Sequence, residues 1–373
     1  MKAVAVFPGK KDSIHLTKLE RPSVDSKPPG LEIRAGYGVV IRILKVGVDA
    51  TDKEINEAQY GAAPPGCQEL VLGHESFGII EEIGPNVRGL KPGDYVTATV
   101  RRPGSSLHDR IGMSDMTSEE TYFERGINLL HGFLTEYVVD DALYVVKVPQ
   151  GLKHLHVLME PMSIAAKAVE QAFEAQRRMR VWRPERAFVL GAGQIGLLTT
   201  LILKLRGLEV YTLARSQAPT RNSEIVEAYG AEYVSLSDTS LLELAGRVGR
   251  ADLIVEATGN STVAFNSMEV LGINGVLVWT SITGGDFSTN VQSDAINLKW
   301  VLGNKLLMGT VNANREHFEA GIKELALGEM MYPGVTQRIL TNPVEGLENY
   351  QELIRLLVEE KSALKVFMNV ADV

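Results

Sequence analysis

Residues 187–205 read Ala187-Phe-Val-Leu190-Gly191-Ala-Gly193-Gln194-Ile195-Gly196-Leu-Leu-Thr-Thr-Leu-Ile-Leu-Lys-Leu205. The first four residues make a short apolar strand, and the run from Ile195 has the composition of a buried helix. Between them, Gly191, Gly193 and Gly196 permit a tight turn, close approach of a pyrophosphate, and close packing of helix on strand. The helix N-terminus adds unpaired amide donors and a dipole that favours phosphate. A plain glycine-rich turn would carry the same residues, but the strand–turn–helix setting favours a dinucleotide site over it.

The pattern continues outward from that motif. Apolar strands at 187–190, 209–213, 251–256, 276–281 and 306–311 alternate with helical runs at 195–205, 224–229, 263–271 and 298–302. That rhythm predicts a parallel, doubly wound sheet. Upstream, short strands at 3–7, 39–48, 78–83, 94–99 and 143–148 are separated by turns such as Lys91-Pro92-Gly93-Asp94, as in a coiled, barrel-like sheet. Residues 101–131 form a long polar lobe with little periodicity. A helix is expected over 162–173 after Glu160-Pro161, and the apolar strand 364–370 rejoins the first domain.

The strand after the glycine motif bears on cofactor choice. An acidic residue at its end would hold the ribose 2′-hydroxyl of NAD. Here the strand ends Ala214-Arg215-Ser216, and no acid follows before Glu224. Arg215 suits a 2′-phosphate through charge-assisted hydrogen bonds, so NADP is expected, with NAD use left open. An ordinary surface arginine is the competing reading.

Composition narrows the function classes. With 373 residues, 45% of them hydrophobic and 23% charged, the chain is long enough for two globular domains. A net charge of −8 argues against nucleic acid as a partner. The cluster Arg177, Arg178, Arg180 and Arg183 reads as a solvated helix end or subunit contact. Cys67 is the single cysteine, so no internal disulfide and no four-cysteine zinc site can form. The N-terminus lacks an apolar core followed by a cleavage site, and the apolar run 197–203 is too short for a membrane span, so a cytoplasmic location is expected.

A second motif lies at Gly73-His74-Glu75-Ser-Phe-Gly78-Ile-Ile-Glu-Glu-Ile-Gly84-Pro-Asn-Val87. His74 and Glu75 place an imidazole beside a carboxylate, both good ligands for zinc. With three glycines at this spacing, the stretch resembles the zinc-site signature of the medium-chain dehydrogenase/reductase superfamily. The resemblance implies an N-terminal GroES-like β-barrel catalytic domain with an inserted Rossmann nucleotide-binding domain. The limits are expected at 1–184, 185–311 and 312–373. It further implies metal ligands Asp49, His74, Glu75 and Glu160. Asp49 stands where relatives usually have cysteine, and Thr51 matches the hydroxyl that begins their proton relay. Read alone, Asp49 is better explained as a cap of the short helix beginning near Thr51, and Glu160 could be a helix-terminal carboxylate favoured by the dipole. The lobe, with His108, Asp109 and Asp115 but no cysteine, is expected to hold no structural zinc.

Several further segments resemble the archaeal glucose dehydrogenases. They are Val48-Asp-Ala-Thr-Asp52, Val100-Arg-Arg-Pro103, Tyr122-Phe-Glu-Arg-Gly-Ile127, Glu160-Pro-Met-Ser163 and Gly309-Thr-Val-Asn312. That likeness implies oxidation of an aldopyranose at C1, with Thr51 and Glu75 catalytic. Thr51, Glu75, Glu124, Glu160 and Asn312 would face the sugar. The cofactor would be held by Gly191, Gly193, Gln194, Ile195, Gly196, Arg215, Ser216, Thr280, Ser281 and Asn312. A polyol needs such carboxylates and amides to pair its hydroxyls, whereas an alkyl alcohol would want an apolar pocket. Some relatives have a histidine before the Asn-Lys pair corresponding to Asn304-Lys305; Leu302 stands near that position here. The family also implies a homo-oligomer, dimer or tetramer, with the apolar strand 275–280 as a candidate edge. Other readings are a zinc dehydrogenase for another polyol or secondary alcohol, a zinc-free quinone or enoyl reductase, and a non-catalytic NADPH-binding protein.

Overall fold

The computed structural model describes residues 1–284 and 286–372. Its contacts divide the chain into two compact units. The first comprises Met1–Pro161, Asn312–Ile322 and Ile339–Val373, and the second Met162–Val311 with Lys323–Arg338.

The first unit is built around the strand Gly38–Val48, whose side chains are buried on nearly every position. It pairs antiparallel with Glu75–Ile83, Tyr137–Asp141 and Val366–Asn369. Tyr95–Ala98, Val145–Lys147 and Asn342–Glu345 extend the sheet to seven strands. Register shifts at Val40/Ile41 and Ile43/Lys45 coil it, which is why alternation along the sequence is patchy. Lys2–Val6 pairs with His15–Lys18 and Leu70–Val71 in a second small sheet. The polar lobe folds into a third, from Arg101–Arg102, Phe123–Arg125 and Leu129–Leu130. The final strand reaches this unit from the far end of the chain and brings Lys365, the residue just before it, into the interior.

The second unit is a six-stranded parallel sheet. Its order is Glu232–Ser235, Glu209–Ala214, Arg186–Leu190, Ala251–Glu256, Leu271–Trp279, Leu306–Gly309. The chain crosses from the edge strand Glu232–Ser235 to Ala251–Glu256, which pairs beside Arg186–Leu190, and the strand order reverses there, at the switch point where open α/β sheets bind ligands. The helix Gln194–Leu205 buries Leu197, Leu198, Leu201, Ile202 and Leu203 completely. Each contributes about 1.5–3 kcal/mol of apolar transfer free energy. Phe188, Leu190, Tyr211, Leu213 and Ile254 belong to the packed core of this unit.

One expectation is corrected. Residues 275–280 were a candidate edge for subunit contact, but Leu271–Trp279 is hydrogen-bonded on both sides, and the sheet's edges are Glu232–Ser235 and Leu306–Gly309. An interior parallel strand is apolar on both faces, so its composition does not distinguish it from an edge buried by a partner. Among the described residues, no helix is long and apolar enough to cross a membrane.

Candidate metal and cofactor sites

The metal-binding candidates converge in the first unit because two short turns meet. The helix Ala50–Asn56 begins at Asp49, whose extended backbone makes it the N-cap. Its Oδ1 accepts the Thr51 N–H at 2.8 Å, and the Asp52 side chain accepts the Asp49 N–H at 3.1 Å, a reciprocal capping box. The cap uses one Asp49 oxygen. The other, Oδ2, lies 3.8 Å from His74 Nε2. Capping and metal ligation are therefore compatible for this residue.

Asp52 was not singled out by sequence reasoning. It is fully buried, its Oδ1 accepts the Gly73 N–H at 3.0 Å, and its Oδ2 lies 3.8 Å from His74 Nδ1. The Asp-x-x-Asp spacing was the available signal, but helix capping alone accounts for it. His74 thus stands between two carboxylates at distances too long for hydrogen bonds. An imidazole binds one ion through one nitrogen, and on the Nε2 side the 3.8 Å to Asp49 Oδ2 approaches the ligand–ligand separation of a tetrahedral zinc site, roughly 3.3–3.5 Å for bonds near 2.0–2.1 Å.

Glu75 opens the strand Glu75–Ile83 and is completely buried. Its carboxylate is ion-paired with Lys365, whose Nζ also donates to the Val48 carbonyl at 3.1 Å. Gly47 lies opposite Glu75 in the sheet, and a Cβ there would strike both the Glu75 carboxylate and the Lys365 side chain. Only glycine leaves room for this pair. Lys365 was also missed; a lysine within the apolar stretch 364–370 was its signal. Glu160 sits in the first turn of the helix Met159–Ala175 and is 7% exposed.

Two overlapping clusters have ligand atoms mutually within 4.8 Å: Asp49, Asp52 and His74, and His74, Glu75 and Glu160. They are the only such groups among the described residues. Cys67 lies outside both, beside a separate cavity of about 450 Å³ that His131 also lines. In the lobe, Asp109 accepts hydrogen bonds from Ser106 and from Thr117 at 2.7 Å, and completes the capping box of the short helix Leu107–Arg110, whose N-cap is Ser106.

The electrostatics fit a cation. Burial alone would lower the His74 pKa, but Asp49, Asp52, Glu160 and Glu75 outweigh it and push it up to about 9. Burial, followed by repulsion from Glu75 and Asp49, raises Glu160 to about 8. Burial also raises Asp52 and Glu75. His74 Nδ1 and Glu75 Oε1 are buried without a hydrogen-bond partner. Four carboxylates around one imidazole and one ammonium form a donor set that a divalent metal would satisfy, displacing protons as it binds.

Two further residues expected at the sugar meet in the same unit. Asn312 Nδ2 donates to Glu124 Oε1 at 2.5 Å. Arg101, not assigned a role from sequence, pairs with the same carboxylate at 2.7 Å.

In the second unit, Gly191 has φ +107, and a Cβ would collide with the Ala257 carbonyl. A Cβ on Gly193 would meet no protein atom, so its backbone is open to a ligand. Gly193 caps the helix Gln194–Leu205 without any side-chain hydrogen bond, leaving its first amides available. The Gly191 N–H donates to Leu213 O at 2.8 Å, so the exposed Arg215 and Ser216, which follow the strand Glu209–Ala214, lie just past its carboxyl end beside the glycine turn. Thr280 follows the strand Leu271–Trp279 and donates through Oγ1 to Glu256 O at 2.7 Å. Ser281 bonds the Glu256 carboxylate, which Thr258 N–H also meets at 2.6 Å. Buried Glu256 thus ties two loops at the carboxyl end of the sheet, a role that sequence reasoning did not assign. Leu302 is 74% exposed at the end of the helix Ser293–Leu302.

The fold agrees with comparisons to known proteins. A model of the alcohol dehydrogenase GroES-like domain matches residues 36–150. The barrel-like unit with its His74 cluster and the doubly wound sheet define the class, a zinc-type medium-chain dehydrogenase/reductase. A model of the glucose dehydrogenase C-terminus matches residues 153–359. The glucose 1-dehydrogenase of Methanocella arvoryzae is 42% identical over 368 residues, covering 96% of this chain and 99% of that one. Glucose 1-dehydrogenase 1 of Caldivirga maquilingensis is 38% identical, covering 94% and 95%. The structure of Haloferax mediterranei glucose dehydrogenase in complex with NADP, Zn and gluconolactone has a TM-score of 0.87 at 33% identity, covering all of both chains. The chain belongs to the glucose 1-dehydrogenase family of that superfamily.

Proposed function

We propose that this chain is an NADP-preferring, zinc-dependent dehydrogenase that oxidises D-glucose at C1 to the aldonolactone. The carrying observation is the buried His74 imidazole set among the carboxylates of Asp49, Glu75 and Glu160. The names of the relatives support the sugar, and the NADP, Zn and gluconolactone of the Haloferax complex support the cofactors. Asp49, His74 and Glu160 are the proposed ligands, with Glu75 binding directly or from its place beside Lys365.

Held by Asp49, His74 and Glu160, zinc would supply Lewis-acid activation of the C1 hydroxyl, and NADP would supply the hydride acceptor. The protein orients the sugar through Glu124, Glu160 and Asn312. The hydroxyl of Thr51, which lies against Asp49 and Tyr60, passes the C1 proton toward a carboxylate and water. Gly191, Gly193, Gln194, Ile195 and Gly196 cradle the pyrophosphate. Arg215 and Ser216 meet the 2′-phosphate, and Thr280, Ser281 and Asn312 complete the cofactor contacts. Residues 1–184 and 312–373 form the proposed catalytic part, and 185–311 the nucleotide-binding part.

A cytoplasmic homo-oligomer is part of the same proposal. The edge strand Leu306–Gly309 and the helix Ser293–Leu302, which buries none of its residues, leave Leu298, Val301 and Leu302 at 60%, 68% and 74% exposure. Exposed apolar side chains on one helix beside an unpaired strand edge suit a second copy of the chain.

Initial rates with D-glucose and NADP, before and after chelation and zinc restoration, test the function, with NAD, galactose, xylose and ethanol as comparators. Chelation-sensitive oxidation of glucose with NADP preferred is expected. A faster alternative alcohol would overturn the substrate, and turnover indifferent to chelation would overturn the zinc chemistry in favour of a reductase of the same fold.

A further inference from the structure

The lobe strands Arg101–Arg102 and Phe123–Arg125 are antiparallel, with Arg101 directly opposite Glu124. Successive side chains on a strand point to opposite faces, and this small sheet uses both. On one face, fully buried Asp140 holds Arg102 and accepts from Arg125 Nη2 at 2.8 Å, which clamps the two strands together. On the other face, Arg101 donates from Nε at 3.0 Å and from Nη2 at 2.7 Å, both to Glu124 Oε1. The Asn312 amide adds a third bond to that same oxygen, at 2.5 Å.

The amide of Asn312 is itself oriented. Its Oδ1 accepts the Ala313 N–H at 2.8 Å, with the backbone at φ +58, a conformation asparagine tolerates. The Arg101 guanidinium lies over the Tyr122 ring, 4.9 Å from its centroid. Both donors are therefore fixed before any ligand arrives. The three hydrogen bonds to the Glu124 carboxylate, from Arg101 Nε, Arg101 Nη2 and Asn312 Nδ2, all end on Oε1, which leaves Oε2 to meet a ligand. The Asn312 amide nitrogen that donates to Oε1 carries a second hydrogen, free to serve as a donor. An acceptor next to a donor matches two neighbouring hydroxyls, one donating and one accepting. The lobe also lies close to the metal cluster, since a Cβ on Gly126 would strike the backbone of Gly73.

We propose that Arg101 is a positioning residue that sets sugar specificity by saturating Glu124 Oε1, so that Oε2 and the Asn312 amide together read a pair of adjacent sugar hydroxyls. The proposal rests on the aldose reading above. Without Arg101, the carboxylate can turn and offer either oxygen, and the distinction between a correctly placed hydroxyl and a missing one weakens. Lysine at this position keeps the charge but not the two-point fork.

The test compares wild type, Arg101→Met, Arg101→Lys and Glu124→Gln on glucose and on its 2-, 3- and 4-deoxy analogues, with KM for NADP and the melting temperature as controls. Wild type should lose about tenfold or more in kcat/KM on the analogue that lacks a read hydroxyl. In Arg101→Met, the glucose KM should rise about tenfold with kcat changed far less and NADP KM unmoved. The penalty on that analogue should shrink to roughly threefold or less. Arg101→Lys should fall between, and serves alone if the methionine variant does not fold. An unchanged deoxy-sugar penalty, or an equal loss on every sugar, would reduce Arg101 to a structural role. If wild type oxidises no aldose, the functional reading fails and this inference with it; if glucose turnover is intact while discrimination does not move, the inference alone fails.

Discussion

The ammonium of Lys365 is buried against the carboxylate of Glu75, and both side chains are almost wholly removed from solvent. The pair joins the segment before the last strand to the strand that follows the His74 turn. It leaves Glu75 Oε1 as an unpaired oxygen within the candidate metal-binding cluster. Removing one partner strands the other charge in a low-dielectric interior. Lys365→Met should therefore lower unfolding free energy by about 3–5 kcal/mol, measured by urea denaturation. Adding Glu75→Gln should recover part of that loss. A single variant within about 0.5 kcal/mol of wild type would show that the pair contributes little.

Zinc removal should lower thermal stability as well as activity. At a free zinc concentration a hundredfold above Kd, binding contributes about 2.7 kcal/mol. His74→Ala should lose bound zinc by elemental analysis. Asp49→Cys should retain it, because a thiolate substitutes for the carboxylate as a ligand. A chelated protein melting with the untreated one would count against the site.

Acid stability should report on His156. Its ring packs among Phe77 and Phe367, with the latter centroid 4.8 Å away, and Nδ1 accepts the Val157 N–H at 2.9 Å. Burial, helped by Lys45 and His154, lowers its pKa to about 3. The folded state therefore binds fewer protons than the unfolded chain between pH about 6.5 and about 3. The contribution is fully present above the upper value and is lost as pH falls through that window. In His156→Phe, melting temperature should fall less steeply across it than in wild type; parallel curves would assign acid sensitivity elsewhere.

Cofactor preference should follow Arg215. Arg215→Ala should raise the KM for NADP by about 10–100-fold, from the loss of charge-assisted hydrogen bonds to phosphate, and leave that for NAD nearly unchanged. Equal effects on both cofactors would place the arginine away from the 2′-phosphate.

Features set by a few neighbouring residues were legible from sequence. The turn Gly191 to Gly196 requires a left-handed residue and an uncovered backbone, and both needs are written into residue type. The residue types at Asp49, His74, Glu75 and Glu160 were legible as candidate ligands through their match to a family pattern. Asp52 was hidden because a capping box accounts for it completely.

Sequence alone determined the alternation of strand and helix, the glycine turn, and the change from acid to Arg215, since each depends on local backbone and side-chain chemistry. Tertiary structure decided which charges meet. Glu124 and Asn312 are 188 residues apart, yet share one hydrogen bond whose other donors come from Arg101. Lys365 finds Glu75 only because the final strand pairs beside Gly38–Val48. The place of 275–280 inside its sheet was likewise a matter of strand order. Burial makes such long-range pairings strong, but an apolar or charged residue carries no mark of the distant partner that will cover it.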